Sequence, residues 1–199
     1  MLSLLNGGKI FMPNVYDFDK TVVYPDSGFT FFNFCFRRHM FRMLRHLPCL
    51  GVELLRFACN RRRGLPVKGE FYRFLRSLPD WREEVRLFWE QNADKLLKPW
   101  YLAQKRPDDI IISCTAGFLL EPICEQLNVR LLATNLDVNT YRLQGHSCFG
   151  EEKVRRFREV YGDTEIDEFY SDSLHDSPLA RIAKKAFFVR DDEILPWPE

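Results

Sequence analysis

The run N-V-Y-D-F-D-K-T-V-V, residues 14–23, decides the fold. Asn14–Phe18 reads as a buried strand whose start is limited by Pro13. Two carboxylates, Asp17 and Asp19, stand at its end, and Thr21 follows. Like charges repel, and a buried unpaired carboxylate is costly. The pair is therefore either solvated in a turn or held by something positive placed between its members.

Outward from this run the sequence has two grammars. After K-R-P-D-D the pattern alternates: strand 110–113, an amphipathic helix Gly117–Leu127, strand 129–134, a hairpin Leu136–Cys148 turning at Asn139-Thr140, a charged helix Glu151–Tyr161, strand 167–171, helix Ser177–Lys185 and strand 186–190. Between the first strand and the second lies a block that is nearly all helical. It runs from Ser27 to Pro48, then through Leu50–Asn60, Lys68–Ser77 and Trp81–Lys98. Strand–helix alternation predicts an α/β fold, a Rossmann-like parallel sheet with helices on both faces. The helical block is then an insertion. The expected organisation is a core built from 1–27 and 101–199, with 28–100 as a helical cap.

Charge supports that division. Of 199 residues, 46% are hydrophobic and 15% aromatic, which excludes a disordered chain. The net charge is only +1, so the molecule as a whole is no obvious polyanion binder. Residues 28–100 nevertheless hold 15 Lys and Arg against 7 Asp and Glu, a surplus of +8 offset by −7 elsewhere. The six cysteines form no C-x-x-C and no zinc-like Cys/His spacing, as expected of free thiols in a reducing cytosol. No basic, apolar leader is read at the N-terminus, and no apolar run approaches the roughly 20 residues of a membrane span. The expected compartment is cytoplasmic.

In an open parallel sheet, ligands sit at the carboxyl ends of the strands. The first strand ends in Asp17-x-Asp19-x-Thr21, the second in Ser113 with Cys114 and Thr115, the fourth in Ser171-Asp172 with Asp176 four residues on, and Lys153 opens the helix after C-F-G-E-E. Three or four carboxylates at one rim need a cation, and an oxygen-only donor set favours Mg²⁺. Ser113 and Lys153 are natural holders of a phosphoryl group. One carboxylate facing phosphorus can act as nucleophile, and a second can exchange the proton.

These four clusters resemble the motifs of the haloacid dehalogenase-like superfamily of phosphohydrolases. D-F-D-K-T (17–21) is similar to the first motif, I-I-S-C-T-A (111–116) to the second, Lys153 to the third and S-D-S-L-H-D-S-P (171–178) to the fourth. The resemblance runs over nearly the whole chain after residue 13, and the insertion resembles a type-one cap. The most similar group is subfamily IB, with phosphoserine phosphatase. It implies Asp17 as nucleophile and Mg²⁺ ligand, and Asp19 as general acid/base lending its carbonyl to the metal. By the same resemblance Thr21 would support the loop and Asp172 would be a metal ligand. Ser113 and Cys114 would bind phosphate, with Lys153 neutralising its charge. Asp176 would orient Lys153 or a metal-bound water. An acid at Asp19 separates phosphatases from members lacking one, so hydrolysis is expected.

Substrate identity is less legible. Asp26 stands nine residues after Asp17, near where phosphoserine phosphatases carry a glutamate that reads an amino group. It is one methylene shorter than that glutamate, and it also suits the cap of the next helix. S-D-S-L-H-D further departs from the G-D-G-x-N-D of those enzymes. The cap interleaves Phe31, Phe32, Phe34, Phe36 and Phe41 with Arg37, Arg38, Arg42 and Arg45. Its partner is read as a phosphorylated small molecule. A phosphatidylglycerophosphate-like lipid headgroup met at a membrane surface is the alternative. Nucleic acid is not expected, because no stacking motif accompanies the arginines. A reading of another class, a non-catalytic module binding phosphate or protein, predicts no turnover.

Overall fold

The computed structural model describes residues 12–44, 51, 55 and 69–198. Six strands form one sheet in the order β3-β2-β1-β6-β7-β8. They are β1 (Val15–Tyr16), β2 (Ile110–Ala116), β3 (Arg130–Thr134), β6 (Ile166–Ser171), β7 (Ala183–Arg190) and β8 (Glu193–Pro196). All neighbours are parallel except β8, which returns antiparallel on β7. A separate hairpin pairs β4 (Leu136–Asp137) with β5 (Arg142–Leu143). The helices are α1 (Ser27–Leu44), α2 (Trp81–Leu96), α3 (Pro99–Gln104), α4 (Gly117–Leu127), α5 (Glu151–Tyr161) and α6 (Ser177–Ala180). The α/β architecture expected from the alternating pattern is the one observed.

The short β1 occupies the centre of the sheet, with β2 on one side and β6 on the other. Its residues are wholly buried, as two-sided coverage requires. Chain order reverses at this point, so a crevice opens past the ends of β1, β2 and β6.

Between β1 and β2 the chain leaves the sheet and returns at one corner. Tyr24 N–H donates to Leu96 O (3.0 Å) and Lys98 N–H to Val22 O (2.9 Å), a short ladder joining the outgoing and returning segments. The Lys98 ammonium is almost wholly buried beside it. It donates to the main-chain carbonyls of Lys20 (2.5 Å) and Asp191, with the Tyr24 ring 5.5 Å away. Both of those residues sit in the left-handed region (φ 58° and 51°), a conformation that costs a side-chain-bearing residue energy unless its surroundings enforce it.

The helices of this excursion share the core of the sheet. α2 starts at Asp80, whose side chain accepts from the N–H groups of Arg82 and Glu83. Its Trp89 donates Nε1–H to Leu119 O of α4 at 2.6 Å and meets Phe18 edge-on at 5.8 Å. Phe31, Phe74 and Phe88 continue the same buried cluster into α1 and a 3₁₀ helix, Gly69–Ser77. α1 is kinked at His39 (φ −126°, ψ 29°), where Arg38 and His39 both reach Glu84 at 2.8 Å.

Several boundaries differ from the pattern-based expectation. The helix expected over Ser177–Lys185 stops at Ala180, because Ala183–Lys185 pair with β6 instead. Lys184 and Lys185, which read as helical surface, extend from that strand to Glu165 and Glu168. Lys68–Ser77 is 3₁₀ rather than α over its described part. The predicted helix Leu50–Asn60 lies outside the described residues, apart from Gly51 and Leu55. β8 went unpredicted because Glu193 and Pro196 suit only a sheet edge, which is where it lies. Among the described residues, no helix is long and apolar enough to cross a membrane.

Candidate active site

The strand ends bring the motif residues to one cavity of about 180 Å³. Asp17, Asp19, Asp26, Lys20, Ser113, Cys114, Lys153, Asp172 and Asp176 all line it. Only Thr21 of the predicted set lies behind the wall.

Lys153 is the centre of the arrangement. It stands in the first turn of α5, which follows Gly150 at φ 58°. It is 2% exposed, and its Nζ lies 2.6 Å from Asp17 Oδ1 and 2.7 Å from Asp176 Oδ2. Burial alone would strip its proton, but the two carboxylates overcome that and hold it ionised. Asp176 is fixed in turn by the Ser171 hydroxyl at 2.7 Å. Burial pushes the Asp17 carboxyl up, Lys153 pulls it down, and Asp176 and Asp172 push it up again. Among the described residues Asp17 Oδ2 carries no hydrogen bond, so that oxygen is free for chemistry.

Asp19 is held from two sides. Ser27 N–H donates to Oδ1 (2.7 Å) and the Thr115 hydroxyl to Oδ2 (2.5 Å). Burial first, and then the Asp26 charge, push its carboxyl up to about 6 despite these bonds. Thr115 was not among the predicted site residues. Its place at the same strand end as Ser113 was the signal available, since Ser113, Cys114 and Thr115 all line the cavity. The strand irregularity between Ser113 and Ala116 then lets Thr115 N–H donate back to Ser113 Oγ (3.1 Å).

Thr21 is buried and accepts from Asp172 N–H at 3.0 Å, tying the loop after β1 to the loop after β6. Asp172 lies 3.7 Å from the Lys20 ammonium. Asp26 Oδ1 accepts from Phe29 N–H (2.8 Å), so it caps α1 while standing on the cavity wall. Cys114 Sγ turns to Ser147 Oγ at 3.2 Å, and burial pushes its thiol up to about 11.

A divalent cation suits this wall. Five aspartates and two lysines give it a formal charge of −3, into which no phosphate dianion would go unaided. Among the described residues no group of three or more His, Cys, Asp or Glu forms a ready cage. Asp17 and Asp172, which both line the cavity, would offer a sparse oxygen set. That is the kind that leaves a hard cation free to keep water and take phosphate oxygens.

A cavity at the carboxyl ends of parallel strands in an open sheet is the usual ligand site of the α/β enzyme class. The haloacid dehalogenase-like hydrolase family matches residues 15–181, and the chain belongs to that family. Protein CicA of Caulobacter vibrioides is 28% identical over 184 residues, covering 84% of this chain and 81% of that protein. Among solved structures, a protein of unknown function from Bordetella pertussis Tohama I superposes with a TM-score of 0.71 at 21% identity, covering 88% of each chain. A phosphoserine phosphohydrolase-like protein from Francisella tularensis subsp. tularensis SCHU S4 gives 0.53 at 13% identity, covering 88% of this chain and 86% of that one. These likenesses establish the fold.

Proposed function

We propose that the chain is a Mg²⁺-dependent phosphomonoester hydrolase working through an aspartyl-phosphate on Asp17. The observation that carries this reading is the buried Lys153 ammonium clamped between Asp17 and Asp176, beside Ser113. It makes one carboxylate a fixed nucleophile and leaves a cation waiting for phosphate oxygens. Asp17 Oδ2 attacks phosphorus and the bond from phosphorus to the alcohol oxygen breaks. Asp19 gives its proton to that leaving oxygen. Water then attacks the same phosphorus, passing a proton back to Asp19, and the Asp17 oxygen–phosphorus bond breaks to release phosphate. Mg²⁺, held by Asp17, Asp172 and the Asp19 carbonyl, would supply the positive charge that the −3 wall lacks. Ser113 and Lys153 hold the phosphoryl oxygens, while Asp176 keeps Lys153 in place. Residues 28–100 serve as a cap over the core formed by 1–27 and 101–199.

Phosphate release from a panel of phosphomonoesters is expected with Mg²⁺, to vanish in EDTA and to return when Mg²⁺ is restored. Mg²⁺ binding by calorimetry without release from any ester would instead favour a non-catalytic binding module.

The proton role of Asp19 has a pH signature. The alcohol leaves only when Asp19 is protonated, so single-turnover release falls as pH rises through its value. The Thr115 hydroxyl stabilises the charged form. Its removal in Thr115→Val is expected to raise that value and to move the alkaline limb up by about one pH unit. A limb that stays in place would mean that Asp19 is not the acid.

A further inference from the structure

The cavity has two unlike halves. One is the charged rim already described. The other is Phe71 and Tyr72 of the 3₁₀ helix, Leu136 and Leu143 of the hairpin, and Phe149 before α5. These line the same cavity as Asp17 and Lys153, and so stand within reach of an ester whose phosphoryl group meets those two residues. Among the described residues the wall has no arginine, and its cations are Lys20 and Lys153, both at the rim.

The arginines of α1 are elsewhere. Arg38 is engaged by Glu84 and lies over the Phe34 ring, and neither it, Arg37 nor Arg42 lines the cavity. Size adds a second restriction. At about 180 Å³ the cavity is smaller than the roughly 300–1,000 Å³ of pockets that enclose drug-sized ligands, a size that suits a phosphoryl group and a compact alcohol. Gly28 marks how closely the roof sits, since a Cβ there would stand 3.2 Å from the Tyr72 hydroxyl.

We propose that the substrate is the phosphate ester of a compact, non-anionic and largely apolar alcohol, selected by the Phe71, Tyr72, Leu136, Leu143 and Phe149 roof. This rests on the phosphatase reading. An apolar alcohol gains from leaving water against that roof. A second carboxylate or phosphate would meet no cationic partner there among the described residues, beside a wall already rich in aspartate.

The test compares kcat/KM, with Mg²⁺, for n-butyl phosphate, phenyl phosphate, glycerol 3-phosphate and 3-phosphoglycerate. Calorimetry with the non-hydrolysable butylphosphonate and phosphonoacetate accompanies it. Butyl and phenyl phosphate are expected to exceed glycerol 3-phosphate by about tenfold and 3-phosphoglycerate by about 100-fold. Leu143→Arg, at a half-buried position, is expected to raise the ratio of 3-phosphoglycerate to butyl phosphate at least about tenfold, with an unchanged melting profile. Glycerol 3-phosphate or 3-phosphoglycerate matching butyl phosphate would overturn the proposal. So would a ratio that Leu143→Arg leaves unmoved. If no ester is hydrolysed while butylphosphonate still binds more tightly than phosphonoacetate, the phosphatase reading fails and the apolar selectivity stands. If none is hydrolysed and phosphonoacetate binds as well, both fail.

Discussion

Asp17→Asn is expected to lower phosphate release at least about 10⁴-fold while leaving the protein folded. The amide keeps the shape of the carboxylate but cannot attack phosphorus. Folding should tolerate the change because Lys153 keeps Asp176 as its anionic partner at 2.7 Å. Asp17 is itself only 8% exposed, and burial penalises its charge, so neutralising it also removes a desolvation cost. Release of phosphate and the thermal melt, measured side by side, check both halves. Activity retained within about tenfold would remove Asp17 from the nucleophile's role. An unfolded variant would show that the Lys153 cluster needs both acids.

Lys153→Met carries the second large effect, and here stability and activity fall together. Methionine fills the space of the lysine stem but leaves Asp17 and Asp176 buried with no cation between them. Breaking a buried ion pair from one side costs about 3–5 kcal/mol. Turnover should drop by about 10³-fold or more as phosphoryl charge loses its partner. The double variant Lys153→Met/Asp176→Asn is expected to recover part of the lost stability, since one stranded charge is gone, and none of the activity. Denaturant unfolding of these two variants, of Asp176→Asn alone and of the unchanged protein forms a double-mutant cycle. Equal stability of single and double variants would mean that Asp176 is not stranded by loss of the lysine.

What could be read from the sequence was what local chemistry announces. Asp17, Asp19, Ser113, Lys153, Asp172 and Asp176 stand at strand ends or a helix start, and strand ends converge in a parallel sheet. α4 and α5 were legible to the residue because their apolar or charged periodicity is bounded by glycine. What escaped depends on distance in the chain. Nothing local says that Lys98 bonds the carbonyl of Lys20, 78 residues away, or that Trp89 donates to Leu119. Lys184 and Lys185 look like helix surface until β6 offers them a ladder. Asp26 could be read as a cap or as a cavity residue, and the structure places it in both positions.

The corner where the chain leaves the sheet and returns has an evolutionary consequence. Because Val22–Tyr24 and Leu96–Lys98 lie side by side, the loop between them closes over almost no distance. Changes in its length then alter closure entropy only slowly and leave the order of the strands alone. Every aspartate and lysine at the rim except Asp26 lies outside that loop, whereas Phe71 and Tyr72 lie within it. Under the proposed reading, the reacting residues therefore lie outside the loop, while recognition is divided between the loop (Phe71, Tyr72) and the sheet domain (Leu136, Leu143, Phe149). The loop's share can be lengthened, shortened or exchanged by descent while the rest is inherited whole.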